Sequence, residues 1–98
     1  MRLEFHPEAE RELVEEAAYY ENRVPGLGER FEEEVRRATT LLLQHPEIGI
    51  FVDADLRKFV LNRFPYSLYY SVTSEVLYIE VVAHQSRRPG YWKSRTDR

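Results

Sequence analysis

Cysteine is missing from all 98 residues, so the chain has neither a disulfide framework nor a thiolate metal site to stabilise it. Long apolar runs are missing too. The longest stretch without a charged side chain is the eleven residues from Phe64 to Ser74, about half of the ~20 that a membrane-spanning helix requires. The opening Met1-Arg2-Leu3-Glu4-Phe5-His6-Pro7-Glu8 holds no apolar signal-peptide core. Neither secretion nor membrane insertion is expected, and the chain reads as a cytoplasmic domain. It also lacks a Gly-rich phosphate loop, a His-Glu-x-x-His helix, Cys/His metal spacing and a serine in nucleophile-elbow context. No cofactor and no metal is therefore expected.

What remains is material for one core. A 43% hydrophobic content, with 13% aromatic and 32% charged residues, suits a single domain spanning residues 1–98. The net charge of −3 hides an asymmetry: residues 1–48 carry twelve Asp/Glu against six Lys/Arg, and residues 49–98 five against eight. The first half is acidic, and the second has the composition for a basic face.

The hydrophobic period divides the chain. Leu3 and Phe5 alternate with polar neighbours as a short strand. Pro7 suits a first helical position, and Glu8 and Glu10 suit the positive end of a helix dipole. Ala9, Leu13, Ala17, Tyr20 and Val24 form one helical stripe, and Leu27, Phe31, Val35, Ala38 and Leu42 a second. Pro25-Gly26-Leu27-Gly28 separates the two, which predicts an antiparallel helical hairpin. The period then becomes two. A β-rich segment from Asp55 to Arg63 precedes a strand with Tyr66, Leu68, Tyr70 and Val72 on one face, then a strand with Leu77, Ile79, Val81 and Ala83 on one face. The short joints between them demand antiparallel neighbours. The expected fold class is α+β: an N-terminal strand, a helical hairpin, then a three-stranded antiparallel meander in a curved sheet, with a basic tail after Arg87.

Most candidate chemistry has a plain structural reading. His6 and His45 each adjoin a proline at a helix end, where capping is expected, and Glu32-Glu33-Glu34 reads as a solvated face. The informative cluster lies at the end of the sheet. Strict alternation sends Tyr78, Glu80 and His84 to the face away from the helices, together with Tyr69. Arg57, Lys58, Arg63, Arg87 and Arg88 come from the strands and their ends. Arginines beside a tyrosine and a histidine suit phosphate contact, base stacking and proton transfer. RNA cleavage without a metal needs a base, a cation for the phosphate and an acid for the leaving oxygen, and His84, Arg87 and Tyr91 are residues of those types.

Arg63-Phe64-Pro65-Tyr66-Ser67-Leu68-Tyr69-Tyr70, then Val81-Val82-Ala83-His84 and Arg87-Arg88-Pro89-Gly90-Tyr91-Trp92, resemble the RelE/ParE superfamily of toxin–antitoxin toxins. Ala17-Ala18-Tyr19-Tyr20-Glu21, Gly26-Leu27-Gly28-Glu29-Arg30-Phe31 and Pro46-Glu47-Ile48-Gly49 agree with it. The resemblance runs from Phe5 to Trp92. It implies a helical hairpin on a curved sheet, a cognate antitoxin that wraps the toxin in a hetero-oligomer, and a growth-arresting activity. Val52, Phe59 and Tyr69 are candidates for the antitoxin surface.

The superfamily has two mechanistic branches. The RelE-like branch cleaves mRNA on the ribosome; Ser67 and Val60 stand where that branch has an arginine and a lysine, while Lys58, Arg87 and Tyr91 fall near its other positions. His84, Arg87 and Tyr91 are the catalytic residues if this chain is such a ribonuclease. The ParE-like branch poisons DNA gyrase by protein contact and needs no catalysis of its own. The long hairpin, the acidic first half and the His-x-x-Arg-x-Pro-x-Tyr-Trp tail favour that side, with Arg57, Lys58, Arg63 and Arg88 as target contacts or, in a ribonuclease, phosphate contacts. The same fold without toxicity, as a bare interaction module, is the third expectation.

Overall fold

A computed structural model describes residues 1–96. Strand β1 (Arg2–Phe5) leads into helices α1 (Pro7–Arg23) and α2 (Leu27–Gln44), followed by β2 (Ile50–Asp53), β3 (Leu56–Val60), β4 (Tyr66–Val72), β5 (Val76–His84) and a short α3 (Lys93–Thr96). The five strands form one open sheet in the order β1-β5-β4-β3-β2. The expected meander is present as β3, β4 and β5, all antiparallel. Two pairings complete it: β1 runs parallel to β5, and β2 adds an antiparallel edge beyond β3.

The helices begin and end where local chemistry permits. His6 is the N-cap of α1, and its Nδ1 accepts from the Glu8 amide at 3.0 Å. Pro7 occupies the first turn, where a missing N–H costs nothing. Between the helices Gly26 adopts φ 88°, a left-handed turn residue without a capping side chain. Glu21 of α1 supplies the cap instead: its two oxygens accept from Gly26 N at 2.8 Å and Gly28 N at 3.1 Å. Val24, the last residue of the expected α1 stripe, is the C-cap and is exposed.

The main core lies between the hairpin and one face of the sheet. Ala9, Ala17, Phe31, Val35, Ala38 and Leu42 from the helices meet Tyr66, Leu68, Tyr70, Leu77, Ile79 and Val82 from the sheet. Tyr20, Phe31, Phe64 and Tyr66 interlock with centroids 4.8 to 6.2 Å apart, in the tilted and edge-on arrangements that aromatic quadrupoles favour. The Tyr70 hydroxyl donates to the Pro46 carbonyl at 2.7 Å and accepts from Gly49 N at 2.9 Å. Arg57 donates to the Glu47 and Gly49 carbonyls at 2.9 and 2.7 Å. These two side chains tie the α2–β2 connection to the sheet.

Two expectations are corrected here. In β5, Tyr69 faces Val81 and Tyr70 faces Ile79, so Glu80 has no residue opposite and forms a bulge. The bulge shifts the alternation by one. Leu77, Ile79 and Val82 enter the helix-side core, while Val81 and Ala83 turn to the opposite face with Leu56 and Tyr69. Glu34 is the second case. It is not solvated but 6% exposed, ion-paired with Arg37 at 2.6 Å and accepting from Asn62 N at 3.2 Å. Burial alone would raise its carboxyl pKa, but these bonds and the charges of Arg37 and Arg63 outweigh that and hold it below the usual carboxylate value.

Candidate functional site: the open face of the sheet

The face turned away from the helices is half covered by the chain's own C-terminal segment. Trp92 lies against Tyr69 with ring centroids 4.1 Å apart, and Tyr91 stands edge-on to Trp92 at 5.3 Å. Beneath them Leu56, Tyr69, Val81 and Ala83 form a second small core. Without the Glu80 bulge, Val81 and Ala83 would not lie on this face and the two aromatic rings would have little apolar surface to cover.

The segment is latched to α1. β1 pairs with β5 only as far as Ile79, so the following β5 edge lacks a strand neighbour. Glu12 of α1 fills that gap. Its Oε1 accepts from Val82 N at 3.0 Å and Arg95 Nη1 at 2.9 Å, and its Oε2 accepts from Tyr91 Oη at 2.5 Å and Arg95 Nη2 at 3.2 Å. The Glu12 and Arg95 side chains are 15% and 14% exposed. Arg95 also donates to the Glu80 carbonyl at 3.3 Å.

This latch determines what Tyr91 offers. Burial, then its bond to the Glu12 carboxylate, pushes the phenol pKa well above that of an ordinary tyrosine, so it holds its proton firmly. The ring is flanked by the guanidinium carbons of Arg87 at 4.0 Å and Arg95 at 5.5 Å. Arg87 is exposed. His84 pairs across the strands with Tyr66 and packs edge-on against it at 5.0 Å, on the helix side rather than the open face expected from alternation. Its Nδ1 accepts from Ser86 N at 2.9 Å. Tyr66 in turn donates to Glu16, and burial with that bond raises its phenol pKa far above the usual value.

The remaining sequence candidates separate. Lys58, His84 and Arg87 border one small cavity of about 160 Å³, with Ser67, Tyr69 and Trp92. An adjoining groove of about 490 Å³ runs from Lys58 and Tyr69 to Val52 on the edge strand and Lys93. Arg57 is engaged in holding the α2–β2 connection and also stacks on Phe51 at 3.8 Å. Arg63 lies far along the chain fold, in the β3–β4 connection beside α2, and Arg88 is exposed. Of the candidate antitoxin residues, Val52 is exposed, whereas Tyr69 is buried beneath Trp92 and Phe59 packs against the main core.

Glu12 and Arg95 organise this face and escaped the sequence reading, as did the bulge at Glu80, a residue the sequence reading did place on this face. Their only signal was local: a glutamate beside Leu13 on an amphipathic helix and an arginine in a basic tail. Among the described residues, no group of three or more His, Cys, Asp or Glu side chains is placed to hold a metal ion, and no helix is long and apolar enough to cross a membrane.

A family model, the ParE toxin of type II toxin–antitoxin systems, parDE, matches residues 3–89. A search of curated proteins finds no significant match. Among solved structures, the chain resembles one from the chromosomal ParDE toxin–antitoxin system of P. aeruginosa, with a TM-score of 0.75 at 18% identity over 86% of this chain and 95% of that one. It also resembles the isolated E. coli RelE toxin, with a TM-score of 0.63 at 23% identity over 98% and 96% of the two chains. At these identities the likeness is one of fold.

Proposed function

The chain belongs to the ParE toxin family of type II toxin–antitoxin systems, and from that premise we propose that it arrests growth by binding and poisoning DNA gyrase in the cytoplasm. The cognate antitoxin neutralises it. The observation that carries this reading is the Tyr91–Glu12 bond. A ribonuclease of this fold needs a proton donor or acceptor at the phosphate, yet this phenol is half-buried, bound to the Glu12 carboxylate and aimed at α1. Trp92 fills the face above Tyr69 where an RNA base would stack. A surface that works by protein contact needs neither group free.

Lys58 and Arg87 beside one cavity favour the second reading, ribosome-dependent mRNA cleavage. The two readings separate in a supercoiling assay with purified toxin freed from antitoxin. Gyrase poisoning predicts lost supercoiling and accumulated double-strand breaks. Unaffected gyrase at high toxin excess rejects it and moves the assignment to mRNA cleavage, where Arg87→Ala would abolish cutting without weakening antitoxin binding. Overexpression that leaves growth unchanged would reject both and leave an interaction module.

A further inference from the structure

A sizeable concavity lies away from the open face. It is a groove of about 860 Å³ between α2 and the β3–β4 connection, lined by Leu27, Arg30, Glu33, Glu34, Arg37 and Arg63, with Asn62 and Phe64. Its charges are not equivalent. Glu34 is turned inward and satisfied by Arg37 and the Asn62 amide. Arg30 and Arg63 are both exposed, and neither guanidinium makes a hydrogen bond or ion pair among the described residues. Exposed Glu33 lines the groove beside them, and Arg63 also feels the charge of Glu34 without bonding to it. Half-buried Leu27 and Phe64 supply apolar floor. Between acidic α2 and the β3–β4 connection, this groove thus presents two guanidiniums without hydrogen-bond partners around an apolar base.

Guanidiniums in this state are built to accept carboxylates, because their planar fork pairs with two oxygens at once. Nucleic acid is a poor match, since Glu33 and the surrounding acidic helices repel a continuous run of phosphates. A peptide answers the groove better, with one apolar side chain on Leu27 and Phe64 and acidic side chains reaching Arg30 and Arg63. We infer that this groove is a docking site for the cognate antitoxin, and that the antitoxin segment seated there carries at least two Asp or Glu residues flanking an apolar anchor. The inference rests on the toxin–antitoxin reading.

The test uses the full-length chain and its cognate antitoxin, with dissociation constants measured for wild type, Arg30→Glu/Arg63→Glu and a matched reversal elsewhere, Arg2→Glu/Arg11→Glu. Circular dichroism melts verify folding, and Arg30→Ala/Arg63→Ala replaces the reversal if it misfolds. The groove reversal is expected to weaken antitoxin binding by about 10²-fold or more, the loss typical of stranded interfacial charges. The matched reversal is expected to change it little, and Lys or Arg in place of the antitoxin's acidic residues to restore the reversed variant. If wild type itself does not bind the antitoxin, the toxin–antitoxin premise fails. If it binds but the groove reversal leaves affinity within about threefold, the groove assignment is overturned while the premise stands. Growth arrest lost with antitoxin affinity retained would also overturn it, by giving the groove to the target.

Discussion

Replacing Glu12 by Gln changes one atom and should destabilise the whole C-terminal half of the protein. The carboxylate accepts four hydrogen bonds and pairs with Arg95, and both side chains are about 85% removed from solvent. Glutamine keeps one acceptor oxygen for Val82 N and Arg95 Nη1. Its amide then points a donor at Tyr91 and at the second Arg95 nitrogen, and the guanidinium loses its counter-charge. Removing one member of a buried pair costs about 3–5 kcal/mol, and the residual exposure here argues for about 3. For a domain of this size each kcal/mol moves Tm by ~4–8 °C, so a fall of ~12–24 °C is expected. Thermal melts by circular dichroism measure it, with Trp92 emission reporting whether the segment leaves Tyr69. Arg95→Met in the same chain should recover part of the loss, with a coupling of about 1–3 kcal/mol. A fall of less than ~4 °C, or strict additivity with Arg95→Met, would refute the latch.

Three further perturbations test other parts of the structure. Gly28→Ala improves helix propensity by about 1 kcal/mol, yet its Cβ would collide with the Ala17 carbonyl oxygen and approach Glu21 Cβ to 2.9 Å. A net loss of about 1–3 kcal/mol in urea unfolding is expected, and a gain would show that the helices do not meet as described. The Glu34 carboxyl is held below its ordinary value of 4.5, so its contribution is present above that pH and disappears as pH falls through the lower native value. The stability gap between wild type and Glu34→Gln should therefore narrow as pH falls below 4.5, and parallel curves would count against the buried Arg37 pair. Tyr66, Tyr70 and Tyr91 have raised pKa values, burial being the first cause in each. Above about pH 10 the unfolded chain ionises these phenols before the native one does, so stability falls as pH rises. Absorbance at the phenolate band should show three tyrosines titrating only as the protein unfolds; full titration of the native state would contradict their burial.

Much of this architecture was legible because local periodicity and capping chemistry agreed. The two helical stripes, the His6 cap before Pro7, the turn at Gly26 and the alternation of β4 all act over a few residues. What escaped has a different physical scale. The bulge at Glu80 is invisible in sequence because Val81, Val82 and Ala83 are apolar on both sides of the shift, so either register satisfies a hydrophobicity pattern. β2 is four exposed residues with no buried face to impose alternation. Glu34 shares its surroundings in sequence with two solvated glutamates, and only Asn62, 28 positions away, distinguishes it. Glu12 meets partners 70 to 83 positions distant. A carboxylate on the rim of an amphipathic helix gives no sign of such contacts.

The same long-range contacts alter what the charge asymmetry means. A +3 balance over residues 49–98 suggests a basic face, but several of these cations are already engaged. Arg57 is bound to two backbone carbonyls, Arg95 to Glu12, and Arg87 lies over the Tyr91 ring. Lys58, Arg63 and Arg88 remain the more available sequence candidates, and Arg63 lies in the α2 groove rather than on the open face. Binding driven by phosphate neutralisation weakens with salt in proportion to the phosphates contacted, at about 0.9 log unit each. Lys58, Arg87 and Lys93 border the cavities of the open face and can supply only about three such contacts, a small share of what holds a protein to structured RNA. Recognition of a folded protein does not depend on that sum. It depends on fixed shape, and the bulge, the Glu12 latch and the Trp92–Tyr69 stack hold the shape of this face.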